Sequence, residues 1–232
     1  MAEPVLTELW WRTESVGEAE PPSVVRCRRI TVAVVLVIGT ALLGLSLTRS
    51  PGDASFYWLT LAMAAVWAGG ARLSGPLHVG TVRCRGRAHR PVVLGTAAGV
   101  ALAAAFVVGG LVAREIPGVR EYITGVLEFA NQGTLPLVVF ITVTNGIAEE
   151  LFFRGALYTA LGRFYPAVVS TAFYVLVTLA SGNPMLGFAA ILLGAVSVYL
   201  RRITGGVLAS VLTHFWWGLA MVLALPPLFG VQ

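Results

Sequence analysis

The stretch Asn145-Gly-Ile-Ala-Glu-Glu-Leu-Phe-Phe-Arg154 decides how this chain is read, because it lies inside a hydrophobic run from about 135 to 161. About twenty predominantly apolar residues suffice to cross a bilayer. Two adjacent glutamates and an arginine interrupt such a run here. Each ionisable group at membrane depth costs about 2.5–3.5 kcal/mol on insertion scales, so its default reading is functional. On a helix Glu150 and Arg154 are four residues apart and share a face. Glu149 points about 100° away from Glu150, along the stripe of Asn145 and Phe153. The spacing therefore predicts that arginine neutralises one carboxylate and leaves the other free to take a proton or hold a ligand. A salt-bridged patch gluing helices together would need only the pair, and the second glutamate would be surplus.

Outward from that stretch the composition agrees. Of 232 residues, 57% are hydrophobic and only 12% charged, half the charged share of an ordinary soluble domain. Mean hydropathy is +0.82. The fold class expected is all-α, a polytopic transmembrane helical bundle of about seven helices. Apolar spans are read at about 30–48, 55–73, 91–113, 135–161, 165–181, 185–200 and 205–225. The segments are a cytoplasmic tail over 1–29, membrane helices and loops over 30–134, a membrane core over 135–225 and a short tail over 226–232. In residues 1–24, Glu3, Glu8, Glu14, Glu18 and Glu20 precede two prolines. They read as a poorly ordered or interfacial tail, with Leu9-Trp10-Trp11 able to touch headgroups. The acidic start and long first span argue against a cleaved signal peptide.

All sixteen basic residues are arginine, and they cluster between spans. Arg26, Arg28 and Arg29 precede the first span, while Arg72, Arg83, Arg85, Arg87 and Arg90 lie at or between the second and third. Arg163 follows the fourth, and Arg201 and Arg202 follow the sixth. The alternate loops hold only Arg49, Arg114 and Arg120, beside Asp53, Glu115, Glu121 and Glu128. Positive charge favours the inside of a membrane. The chain is thus expected in the cell membrane, multi-pass, with a cytoplasmic N-terminus. The net charge of +5 then reports topology, and no nucleic-acid module is present. Residues 114–133 suggest an interfacial loop or short helix on the outer side. The spans show no inverted repeat of the transporter kind. Cys27 and Cys84 sit among arginines, which lower a thiol pKa, but two isolated thiols on the inner side are expected to be reduced and inert.

One further polar group lies deep in a span, His214 in Ala-Ser-Val-Leu-Thr-His-Phe-Trp-Trp-Gly. A neutral imidazole there can hydrogen-bond a carboxylate, shuttle a proton or ligate a metal. His78 and His89 fall in the arginine-rich loop and are expected to be solvated. Trp216, Trp217, Tyr158, Phe173 and Tyr174 read as packing, or as the lining of a groove for an apolar substrate.

Glu149-Glu150-x-x-x-Arg154, the Arg-Phe-Tyr-Pro-Ala-Val-Val-Ser-Thr-Ala-Phe span and Tyr-Leu-Arg-Arg-Ile-Thr-Gly-Gly-Val-Leu-Ala-Ser-Val-Leu-Thr-His214 come in that order. Together they resemble the CAAX-protease and bacteriocin-processing (CPBP/Abi) family of intramembrane proteases, over about 135–222. Two motif positions depart from it. The family's Phe-x-x-x-His reads Phe173-Tyr-Val-Leu-Val177, and its His-x-x-x-Asn reads His214-Phe-Trp-Trp-Gly218. The resemblance implies an endopeptidase that cleaves a prenylated or membrane-embedded peptide with activated water. It implies Glu149 as base or ligand, Glu150 paired with Arg154, and His214 binding metal or steadying the oxyanion. Zinc, held by Glu149 and His214, is one reading of the water's activation, and glutamate and histidine alone are the other. A catalytic zinc takes three protein ligands, to which Asn145 would add an oxygen and Thr178 only a feeble substitute. With Val177 and Gly218 in place, the alternative is a catalytically degenerate relative that binds peptides, partners or lipid-linked substrates.

Overall fold

The computed structural model describes residues 21–84 and 87–231. The expectations for the tail over 1–20 and for Arg85 lie outside them. The described chain is α1 (Pro22–Leu47), α2 (Ala54–Leu73), a short hairpin of β1 (Val82–Cys84) and β2 (Arg87–His89), α3 (Val92–Ala113), α4 (Val119–Asn131), α5 (Leu135–Leu161), α6 (Pro166–Leu179), α7 (Pro184–Thr204) and α8 (Leu208–Phe229). The all-α bundle read from the sequence is the observed fold, and every expected span is a helix. The loop over 74–90 adds an antiparallel ladder pairing Val82 with His89 and Cys84 with Arg87. His78 and His89 are exposed, as expected.

Boundaries differ from the reading at both ends. Residues 22–29 are not tail but the first turns of α1, started by Pro22, whose missing N–H costs nothing at a helix start. Arg28 and Arg29 accordingly work inside the bundle. Arg28 Nε donates to Ser74 O at 2.8 Å, and Arg29 Nε to Ala160 O at 3.1 Å. At the other end α8 runs through Pro226 and Pro227 to Phe229 before Gly230, with φ of 70°, ends it. The span therefore passes the expected stop at 225, since prolines in a last turn remove few helical bonds. Asp53 caps α2. Its carboxylate accepts the Ser55 N–H at 2.8 Å, and that bond holds it below the usual carboxylate pKa.

Six helices (α1, α2, α3, α5, α7 and α8) are long and apolar enough to cross a membrane. With 14 residues, α6 rises about 21 Å, short of a hydrocarbon core of about 30 Å. It still joins the two ends of the bundle. At one end the start of α1 meets Ala160, and the strand-like 78–81 segment binds the α7–α8 corner. Thr81 N–H donates to Thr204 O at 2.8 Å, Val207 N–H to His78 O at 2.9 Å and Leu208 N–H to Val79 O at 3.1 Å. Gly205 turns at φ 69°, and a side chain on Gly206 would run into the backbone of Val79 and Gly80. The corner needs both glycines, one for its turn and one for this close approach. At the other end Asn183 Nδ2 donates to Tyr122 O at 2.7 Å.

Large apolar side chains face outward along the helices, among them Val37, Trp58, Val93, Val168 and Leu176. The polar groups Glu150, Arg154, Ser170, Ser197, Ser210 and Thr213 are fully buried. A soluble protein would not expose so continuous an apolar surface, whereas lipid accepts one. The protein is a multi-pass membrane protein. Its inner core stacks Trp67 of α2 on Phe152 and Phe153 of α5, with ring centroids 4.5 and 5.2 Å apart.

Candidate active site

The residues that opened the sequence reading sit where α5 ceases to be an α-helix. Leu151–Leu157 form a π-helical turn, and Phe152 through Leu157 are all buried. A π turn is a rare distortion that recurs at functional sites. It widens the helix and turns consecutive residues inward, so Phe152, Phe153 and Arg154 are all enclosed although they follow one another. The 3.6-residue spacing used on the sequence did not foresee this turn.

Glu150 and Arg154 are both fully enclosed, with Nη1 3.2 Å from Oε1. The pair expected from the spacing therefore forms. Its geometry is close but poorly aligned, because no guanidinium nitrogen of Arg154 completes a hydrogen bond and Glu150 Oε2 is also unpartnered. The guanidinium instead lies over the Tyr174 ring, 4.4 Å from its centroid, a cation–π contact that strengthens away from water. Gly194 of α7 makes room for this stack, since a Cβ there would lie 3.2 Å from Arg154 Nη2 and 3.3 Å from Tyr174 Cδ1.

His214 enters from α8. Its Nδ1 is 3.2 Å from Glu150 Oε1. An ionised carboxylate only accepts, so the imidazole donates from Nδ1, and Nε2 is left without a bond to Glu150. Of the glutamates expected to face His214 across the bundle, Glu150 makes the direct contact. Two glycine contacts explain how α8 comes so near. His214 lies against Gly146, where a Cβ would stand 2.9 Å from its Cδ2, and α3 presses Gly95 and Gly99 onto the α8 backbone at Ala209 and Thr213. That Gly-x-x-x-Gly pair is the small-residue pattern of close helix packing in lipid, and Thr213 Oγ1 seals it by donating to Gly95 O at 3.0 Å. Trp217 braces the imidazole edge-on at 5.6 Å.

Glu149 is half-buried. It lies within electrostatic reach of His214, Glu150 and Arg154, and beside the Tyr174 hydroxyl. All four residues singled out from the sequence thus meet in one place, nearer the bundle end that carries the 78–81 segment. The auxiliary candidates do not join them in the expected way. Asn145 Nδ2 donates back to Ile141 O at 3.0 Å with its Oδ1 unpartnered, and Thr178 Oγ1 bonds Tyr174 O of its own helix at 2.8 Å. Val177 packs in the apolar cluster with Tyr174 and Phe153, and Gly218 faces Thr142.

Two contributors escaped the sequence reading. Arg201 was taken for a flanking topology charge, yet it lies within α7, nearly buried, and donates from Nε to Arg154 O of the π turn at 2.8 Å. Tyr174 was read as packing. The signal for Arg201 was its place inside an apolar run, and none in the sequence marked Tyr174.

The donor set does not suit a zinc centre held by Glu149 and His214. Among the described residues no three His, Cys, Asp or Glu side chains gather to hold an ion, and three is the number such a site takes from the protein. Glu150 is already engaged by a guanidinium and an imidazole.

Residues 131–220 match the family model described as Type II CAAX prenyl endopeptidase Rce1-like. Over these residues the chain is similar to the Rce1-like family. The match holds α5 to α8 as far as residue 220, and with them every residue of the site, as the motif resemblance led one to expect. Comparisons with curated proteins and with solved structures found no match.

Proposed function

We propose that the protein is an intramembrane endopeptidase of the CAAX type, hydrolysing a prenylated or membrane-embedded peptide. The observation that carries this reading is the meeting of Glu149, Glu150, Arg154 and His214 inside the Rce1-like segment. In it Glu149 is the general base. It takes a proton from water as the water oxygen bonds to the scissile carbonyl carbon, and returns that proton to the amide nitrogen as the C–N bond breaks. Glu150, fixed by Arg154, accepts the Nδ1–H of His214, and His214 as an imidazolium, protonated on both nitrogens, donates its Nε2–H to the oxyanion. The products are a carboxylic acid and an amine, which pass a proton between them to leave a carboxylate and an ammonium, and no step needs a metal.

The test is hydrolysis of a panel of prenylated and membrane-embedded peptides by purified protein in detergent or liposomes, beside Glu149→Gln. Turnover by wild type that Glu149→Gln loses supports the reading. Absence of turnover on every peptide overturns it.

A second reading, a catalytically degenerate relative that binds without hydrolysis, draws on Val177 and Gly218. Val177 is embedded in the apolar cluster. Asparagine at 218 would bring a Cβ to 3.3 Å from Thr142 Cγ2. Val177→His with Gly218→Asn is therefore expected to create turnover in an inactive wild type only with some repacking. Gain of cleavage in that variant alone favours the degenerate reading.

The orientation is part of the proposal. We place residues 74–90 in the cytoplasm and 114–133 outside. Single cysteines introduced in each loop of the cysteine-free protein, treated with an impermeant maleimide on intact cells, are expected to label only in 114–133. Labelling confined to 74–90 reverses the orientation.

A further inference from the structure

We propose that Tyr174 is a positioning residue for the hydrolysis, its hydroxyl holding the Glu149 carboxylate and its ring holding Arg154; the inference rests on the reading of Glu149 as the base. Tyr174 belongs to α6 and is 5% exposed. Its ring is fixed from three sides. Phe153 meets it edge-on at 5.0 Å, the Arg154 guanidinium covers it at 4.4 Å, and Gly194 of α7 leaves space for its edge. Phenylalanine would satisfy all three contacts equally well. A buried hydroxyl without a partner is costly, and a buried tyrosine is normally matched by a hydrogen-bond partner for its O–H. Here the hydroxyl lies beside Glu149. One side chain thus touches both halves of the site, the free carboxylate through its O–H and the paired guanidinium through its face.

The consequence is division of labour between the two glutamates. Arg154 sits over the Tyr174 ring and beside Glu150 Oε1, and it acts on Glu149 only as a charge within electrostatic reach. The Tyr174 hydroxyl gives Glu149 a neutral donor instead of a cation. A carboxylate steadied by a phenol keeps more basicity than one neutralised by a guanidinium, and is better suited to remove a proton from water. Val177, one turn further on the same buried face, brings no polar atom, so Tyr174 is the polar contribution of α6 to this point.

The experiment compares wild type, Tyr174→Phe and Tyr174→Leu for kcat, KM and thermal midpoint on the peptide panel. Tyr174→Phe keeps the ring over Arg154 and removes only the O–H. It is expected to lower kcat roughly ten- to a hundredfold, the range of a lost hydrogen bond to a charged group, with KM and thermal midpoint unchanged. Tyr174→Leu is expected to lower kcat at least as far and the midpoint as well. Wild-type kcat in Tyr174→Phe overturns the inference and leaves the proposed function standing. A fall in kcat only in step with lost thermal stability also overturns it, since it assigns the residue to packing. A wild type without turnover on any peptide overturns the proposed function and this inference together.

Discussion

Glu149→Gln is expected to reduce peptide hydrolysis by a factor of about 10²–10⁴, the usual contribution of a positioned general base, while leaving the bundle folded. The substitution keeps the shape of the side chain and removes only its ability to take a proton. Its structural cost should be small, because Glu149 is half-buried and outside the direct Glu150–Arg154 and Glu150–His214 contacts. The Tyr174 hydroxyl can donate to an amide oxygen as it does to a carboxylate. Glu150→Gln makes the matching control. It strips the negative charge from beside a buried guanidinium and should lower stability as well as activity. Initial rates on the peptide panel, with thermal midpoints in detergent for all three proteins, separate the two glutamates. Retained turnover in Glu149→Gln would remove it from the role of base. A large drop in its thermal midpoint would recast it as structural.

How much of this was legible in the sequence depends on the interaction that fixes each feature. The helices were legible because lipid demands long apolar runs, and the arginine clusters marked where the runs stop. Even so, Arg28, Arg29 and Arg201 were read as loop charges, although they turn inward to backbone carbonyls. Charge pattern reports which end of a helix a residue is near, not whether its long side chain snorkels out or in. The Glu150–Arg154 pair was legible because it is local, set by i,i+4 spacing within one helix. The His214–Glu150 contact was not, because which of two adjacent glutamates faces α8 depends on the π turn and on the rotation of packed helices. Both are consequences of tertiary packing. The small residues that permit that packing, Gly95 and Gly99, are one turn apart in α3 and lie against the α8 backbone. Tyr174 illustrates the limit. As an aromatic in an apolar span it has the signature of core, and only the neighbouring Arg154 and Glu149 give it another meaning.

Arg154→Met is expected to destabilise the protein by about 3–5 kcal/mol, the usual result of removing one partner of a buried ion pair. The cost has three sources. Glu150, fully enclosed, loses the guanidinium at 3.2 Å and is left a buried charge with only His214 beside it. The stack on Tyr174 at 4.4 Å is lost, and the gap that Gly194 leaves for the guanidinium is filled less well. For a chain of this size the change corresponds to a fall in thermal midpoint of roughly 6–20 °C. The informative comparison is the double variant Glu150→Leu with Arg154→Met, which takes away both charges at nearly constant volume. Burying two charges is itself expensive, and apolar replacements of a whole pair are often neutral or stabilising. The double variant should therefore be more stable than Arg154→Met alone, though inactive, because His214 loses the carboxylate that orients it. Thermal unfolding of wild type, both single variants and the double variant in one detergent gives the coupling between the sites. Additive losses would mean that the two residues do not stabilise one another, and that the poor alignment of the pair, rather than its proximity, describes its energetics.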